Sequence, residues 1–190
     1  MTTIVGLSGS LRAGSYNTAL LRAAAGLAPE GAQLLVTTIH GIPLYDGDVE
    51  AATGIPAAVQ ELGEAIAKAD GLLLVTPEYN NSIPGPLKNA IDWLSRIEDD
   101  IFAGKPVAIM GASPGGFGTL LSQNAWLSVL RTLETQPWFG GRLLVSRATG
   151  VFSADGQLVD EGVKTRLQEF VSGFASYIQS LPAAKTGSRA

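Results

Sequence analysis

Short apolar runs rich in β-branched residues alternate along the chain with longer stretches whose apolar positions recur every three or four residues. The runs at 3–8, 33–39, 71–76, 106–112 and 141–147 predict strands. The periodic stretches at 15–27, 56–68, 86–95, 119–134 and 161–181 predict helices. The last is the clearest: Val163, Leu167, Phe170, Val171, Phe174, Ile178 and Leu181 share one face. Successive strands are separated by about one βαβ unit, roughly 30 residues or a little more. Residues 4–7, 72–75 and 107–110 are apolar without alternation, as in parallel strands covered on both faces. The expected class is therefore α/β, a doubly wound open sheet with right-handed crossovers. The order 2-1-3-4-5 is one common solution that spacing does not select. Asp155-Gly156, between 151–154 and 157–160, predicts a tight hairpin beside the fifth strand. No linker divides the chain, so one domain is expected over 1–182, followed by a mobile tail at 183–190.

Composition narrows the function. A chain of 190 residues suits one large domain. With 46% hydrophobic residues and a net charge of −4, disorder is excluded as its main state. The acidic balance and the lack of a Lys/Arg cluster argue against a nucleic-acid partner. No cysteine is present, which excludes disulfides, iron–sulfur clusters, thiolate zinc sites and cysteine nucleophiles. The longest strongly apolar run, 71–75, is far short of the roughly 20 residues that span a membrane. Met1-Thr2-Thr3-Ile4-Val5 lacks the basic start of a signal peptide, so a cytoplasmic protein with no membrane partner is expected. Asn80-Asn81-Ser82 fits a glycosylation sequon that such a protein would not use.

Ligands of open α/β sheets bind outside the carboxyl ends of the strands, near the switch point. Three loops lie there if the order holds. The first, Ser8-Gly9-Ser10-Leu11-Arg12-Ala13-Gly14-Ser15-Tyr16-Asn17, joins a buried strand to a helix. Hydroxyls on Ser10 and Ser15, the Arg12 guanidinium, the Asn17 amide and the free N–H groups of a new helix describe a phosphate cradle. A serine N-cap on an ordinary loop is the plainer explanation of the same residues. Gly9-x4-Gly14 imitates a P-loop, but Ser15-Tyr16 stands where Lys-Ser/Thr is required, and no G-x-G-x-x-G follows this strand. The second loop, residues 77–86, is stiffened by Pro77, Pro84 and Pro86; with Tyr79 and amide side chains it suits a flat heterocycle, though a rigid turn is an equal reading. The third, Gly111-Ala112-Ser113-Pro114-Gly115-Gly116-Phe117-Gly118, also matches G-x-S-x-G, the nucleophile elbow of α/β-hydrolases. That match fails twice. Pro114 has no N–H for an oxyanion hole, and the single histidine, His40, precedes Ser113.

The other candidates have plainer expectations. His40 reads as a solvated loop residue, and Asp46, Asp48 and Glu50 as a solvated acidic loop without the spacing of a calcium site. Asp92 and Arg96 suggest a surface ion pair. The apolar character around Ile91, Trp93, Leu94 and residues 126–133 on more than one helix face points to a subunit interface rather than core packing.

The motif Ser8-Gly9-Ser10-Leu11-Arg12-x-Gly14-Ser15-Tyr16-Asn17, then Pro77-Glu78-Tyr79-Asn80, then Ser82-x-Pro84-Gly85-x-Leu87-Lys88-Asn89-Ala90-Ile91-Asp92-Trp93-Leu94-Ser95-Arg96 resembles the NADPH-dependent FMN reductases, and among them the bacterial chromate/quinone reductases. The resemblance implies a flavodoxin-like three-layer sandwich around a five-stranded parallel sheet of order 2-1-3-4-5. It implies FMN as cofactor, with Ser10, Leu11, Arg12, Ser15, Tyr16 and Asn17 about its phosphate. Pro77, Glu78, Tyr79 and Asn80 would line the isoalloxazine, and Ala112, Ser113 and Gly115 would meet the ring largely by backbone. It further implies NADPH or NADH as co-substrate, quinones or chromate as acceptors, and a homodimer or homotetramer. The cofactor then carries the chemistry, which suits a chain with one histidine and no cysteine. A flavodoxin-type electron carrier is the alternative.

Overall fold

The computed structural model describes residues 1–182. The tail expected at 183–190 lies outside the described residues. The strands β1 (Thr2–Ser8), β2 (Ala32–Thr38), β3 (Gly71–Val75), β4 (Pro106–Ala112), β5 (Gln136–Pro137) and β6 (Leu143–Val145) form one sheet in which every pairing is parallel. Its order is β2-β1-β3-β4, with β5 and β6 in tandem on the outer edge of β4. This is the 2-1-3-4-5 order with its fifth position filled by two short pieces. The helices are α1 (Tyr16–Gly26), α2 (Gly47–Thr53), α3 (Ala57–Lys68), α4 (Gly85–Leu94), α5 (Leu120–Thr132) and α6 (Glu161–Ser180).

The layers follow from the period of two along the strands. In β3, Leu73 and Val75 join a core shared with α1 and α6, while Leu72 and Leu74 join the opposite core with α3, α4 and α5. Both faces are dry, and all five residues of β3 are buried. Each fully buried Leu or Val contributes about 1.5–3 kcal/mol, so this central strand anchors both layers. Two cores explain the unbroken apolar run that pointed to a covered sheet.

Four expectations need correction. The strand expected at 141–147 is confined to 143–145, and a piece at 136–137 precedes it. Between the two, the Trp138 N–H makes a last bond to the Val107 carbonyl and residues 139–142 leave the ladder, while the Trp138 ring packs on Phe170 and Phe174, with centroids 5.2 and 5.6 Å away. A side chain on Gly140 or Gly141 would overlap that ring. The acidic residues 46–50 do not form a loop: Asp46 caps α2 by accepting from the Asp48 N–H. Asp92 and Arg96 do not pair; Lys88 takes Asp92 at 2.6 Å, and Arg96 Nε donates to Glu50 at 2.9 Å. Finally, Ile91, Trp93, Leu94, Trp126 and Leu130 are buried within this chain, so core packing explains their apolar faces without a second copy. The Asp155-Gly156 hairpin forms, but with a single bridge, Phe152 to Leu158, and Gly156 at φ +80°.

Residues 43–53 make a strap over α4. The Pro43 carbonyl accepts from Asn89 Nδ2 and Trp93 Nε1, the Tyr45 N–H donates to Asn89 Oδ1, and the Tyr45 ring meets Trp93 edge-on at 4.9 Å. No helix among the described residues is long and apolar enough to cross a membrane.

Candidate functional site

The loops after β1, β3 and β4 converge at one edge of the sheet. Together they line a depression with Ser10, Arg12, Ser15, Tyr16 and Asn17 on one wall, Pro77, Glu78 and Tyr79 on another, and Ala112, Ser113 and Pro114 on a third. Of the residues singled out from the sequence, Leu11, Asn80 and Gly115 do not line it. The depression is shallow, about 80 Å³. Pockets that enclose a small ligand run to about 300–1,000 Å³, so this one grips part of a ligand and leaves the rest on the rim. Larger grooves, about 520 Å³ beside α3 and about 650 Å³ at the opposite end of the sheet, gather no comparable set of glycine-rich loops and helix N-terminus.

The first wall is built for an anion. Ser15 is the N-cap of α1 and its Oγ accepts from the Thr18 N–H, so its hydroxyl proton is left to donate outward. Ser10 Oγ accepts from the Arg12 N–H at 3.4 Å and keeps its proton in the same way. The Tyr16 and Asn17 N–H groups belong to the first turn of α1 and have no intrahelical acceptor. Arg12 is exposed and makes no ion pair among the described residues. Helix N–H groups, two hydroxyls and an unneutralised guanidinium fit a phosphate. Gly9 has a different reason: a Cβ there would overlap Leu87 of α4, so its smallness seats the loop against the protein.

The second wall is a miniature hairpin. Tyr79 and Ser82 exchange backbone hydrogen bonds at 3.2 and 3.1 Å, and Asn80 and Asn81 both have positive φ, 50° and 62°. That is the geometry of a type I′ turn, which Asn tolerates. Asn80 therefore sits at the exposed tip and shapes the turn. Glu78 lines the depression, but its carboxylate serves α5: Oε2 accepts from the Leu121 and Ser122 N–H groups at 2.8 and 3.0 Å and caps that helix, whose N-cap Thr119 supplies no side-chain bond. Beneath, buried Thr76 Oγ1 is 2.8 Å from Ser122 Oγ and accepts from Trp126 Nε1 at 3.0 Å.

The third wall presents backbone. A side chain on Gly111 would overlap the Thr76 carbonyl and Thr119, so only glycine lets β4 pass there. Ser113 Oγ accepts from the Gly115 N–H at 3.1 Å, which holds the glycine-rich turn closed.

Against known proteins, the model of the NADPH-dependent FMN reductases matches residues 2–150. The chain is a member of that family. It is 44% identical over 178 residues to an NAD(P)H-dependent FMN reductase of Pseudomonas aeruginosa, covering 94% of this chain and 96% of that protein. It is 40% identical over 181 residues to a quinone reductase of Escherichia coli, covering 93% and 95%. In three dimensions it is similar to FerB, a flavoenzyme NAD(P)H:acceptor oxidoreductase of Paracoccus denitrificans, with TM-score 0.83, 33% identity, and 94% and 98% of the two chains covered.

Two roles were not visible in the sequence. Asn17 and Glu78 face the depression, yet their side chains are committed to backbone groups of the protein. His40 is exposed but not idle: its Nε2 lies 3.2 Å from the Leu11 carbonyl and its Nδ1 3.0 Å from Thr38 Oγ1, which ties the first loop to the end of β2. The Leu11 carbonyl can only accept, so Nε2 carries the proton in this contact. Apart from the His40–Thr38 contact, two positions apart, these bonds join partners 29 to 95 residues apart, which no short-range pattern marks.

Proposed function

We propose that this chain is an FMN-containing NAD(P)H oxidoreductase that reduces quinones, and that the depression at the ends of β1, β3 and β4 holds the flavin. The observation that carries the assignment is the anion cradle of Ser10, Arg12, Ser15 and the first turn of α1 facing the stiff Pro77–Tyr79 segment, in a chain of the FMN reductase family. When bound, FMN supplies the redox chemistry, accepting a hydride from NAD(P)H and passing two electrons to the acceptor. The protein positions and shields. Arg12 neutralises the phosphate, and the α1 N-terminus donates to it. Pro77 and Tyr79 form a wall for a flat ring, and the turn at Ser113 to Gly115 meets its edge with backbone.

A depression this shallow would leave a bound ring accessible from outside to NAD(P)H and then to the acceptor. The same access admits a metal oxyanion such as chromate. Exposed Leu11, Leu44, Tyr79 and Phe117 follow the carboxyl ends of the strands, with Leu44 and Phe117 83% and 78% exposed. This apolar rim supports self-association as a homodimer or homotetramer with the flavin near the interface. We place the enzyme in the cytoplasm as one flavin-binding unit over 1–182, with no nucleic-acid or membrane partner.

Purified protein is expected to be yellow, to release FMN on denaturation, and to oxidise NAD(P)H rapidly only when quinone is added. Bound FMN without NAD(P)H oxidation would favour the electron carrier. A colourless protein that FMN cannot reconstitute would refute both.

A further inference from the structure

Asn17 is 4% exposed, and its carboxamide pairs with one residue. Its Nδ2 donates to the Ala112 carbonyl at 2.9 Å, and its Oδ1 accepts from the Ala112 N–H at 2.9 Å. The position of this pair in the sheet explains it. Along β4, the Met110 carbonyl accepts from the Thr76 N–H just beyond β3. A continued ladder would pair the Ala112 N–H with the Thr76 carbonyl and the Ala112 carbonyl with the Glu78 N–H, but past Thr76 the chain turns away and makes neither bond. Ala112 is two residues past Met110 and presents its backbone groups to the same side. Asn17 takes the vacated place in the ladder and satisfies both groups. Ser113 continues on the opposite side, donating to the Val145 carbonyl at 2.9 Å.

We infer that Asn17 is a positioning residue, which locks the anion-binding start of α1 to the ring-lining end of β4 at a fixed separation and acts on the nucleotide through that spacing. Ala112 takes Oδ1 and one Nδ2 hydrogen and so fixes the orientation of the carboxamide, which keeps a single N–H beyond that pair. The inference rests on the flavin assignment. FMN has a phosphate at one end and a ring at the other, so it bridges the two segments that Asn17 joins. A ligand that bridges two subsites gains affinity from their fixed spacing, because the second contact forms at high effective concentration. Loosening the spacing weakens the linked ligand while leaving each separate fragment unaffected.

The test uses FMN, inorganic phosphate and lumiflavin, which is the ring alone, titrated against the native protein and Asn17→Ala. The expected result is at least about tenfold weaker FMN binding, with phosphate and lumiflavin affinities within about twofold of native. Phosphate affinity falling in step with FMN would make Asn17 a ligand and overturn the inference. Unchanged affinity for all three, even with lowered thermal stability, would reduce Asn17 to a structural residue and overturn it equally. Should Asn17→Ala not fold, hydrogen exchange on native FMN-free protein decides: the Ala112 amide is expected to be protected, and exchange as fast as that of exposed loop amides refutes the brace. Failure of the native protein to bind FMN would instead remove the functional assignment on which the brace depends.

Discussion

At Arg12 a guanidinium stands beside a helix N-terminus with no acidic partner among the described residues. Removing it deletes a charge-assisted contact worth about 1.5–3 kcal/mol, so Arg12→Ala should weaken FMN binding by about 10–150-fold. Fluorescence titration measures this, and unchanged affinity would sink the phosphate cradle. Glu78 calls for the opposite expectation. Its carboxylate serves α5, so Glu78→Ala should lower stability by about 0.5–2 kcal/mol, in the range of a lost N-cap. Glu78→Gln keeps an oxygen acceptor and should lose less than half as much in urea unfolding. Equal losses would show that charge, rather than hydrogen bonding, holds the helix end. These two residues also show how far a motif can be read. Ser10, Arg12 and Ser15 act within a few positions of each other, so their chemistry is legible in the loop itself. Glu78 and Asn17 act on backbone groups 43 and 95 residues away, and spacing along the chain marks their place but not their task.

Among the elements, legibility follows burial. β3 and α6 bury whole faces, and their apolar pattern located them to within a residue or so. α2 buries no residue, and polar contacts with α4, 44 to 50 positions away, hold its strap in place, so no periodicity could reveal it. The split fifth strand escaped for a related reason: past Trp138, whose ring packs on α6, the chain leaves the ladder. The strap carries its own pH dependence. The Arg96 guanidinium, and then the Tyr45 hydroxyl, hold the Glu50 carboxyl below its ordinary 4.5. Hydrogen bonding to Glu50, then desolvation, raises the Tyr45 hydroxyl above 10.0. A depressed carboxyl stabilises the docked strap above its unfolded pKa and loses that contribution as pH falls through the folded value. A raised phenol contributes below its unfolded pKa and loses that contribution as pH climbs through the folded one. Docking should therefore hold from about pH 5 to 10 and weaken at both ends. Because Tyr45 packs on Trp93, tryptophan fluorescence should change below pH 4.5 before global unfolding, and Glu50→Gln, which cannot titrate, should show the acid-side signal already at neutral pH and no such change. A flat signal down to the unfolding transition would show that the ion pair does not control the strap.

For the molecule as a whole, the two cores fix the sheet, and the sheet brings three loops to one edge before any ligand arrives. Asn17 between the first and third loops, and Glu78 between the second loop and α5, brace that edge with bonds internal to the protein. A preorganised site of this kind binds only the folded chain, so ligand binding must appear as stability. At FMN a hundredfold above its dissociation constant, linkage adds about 2.7 kcal/mol. For a chain of this size each kcal/mol moves the midpoint by about 2–4 °C, so Tm should rise by about 5–11 °C. Riboflavin at the same concentration lacks the phosphate and should give a much smaller rise. Arg12→Ala should bring the FMN shift close to the riboflavin one, because both changes delete the same contact from opposite sides. If riboflavin and FMN raised Tm equally in the native protein, the first loop would contribute nothing to binding, and the flavin would have to be held by the ring-facing walls alone.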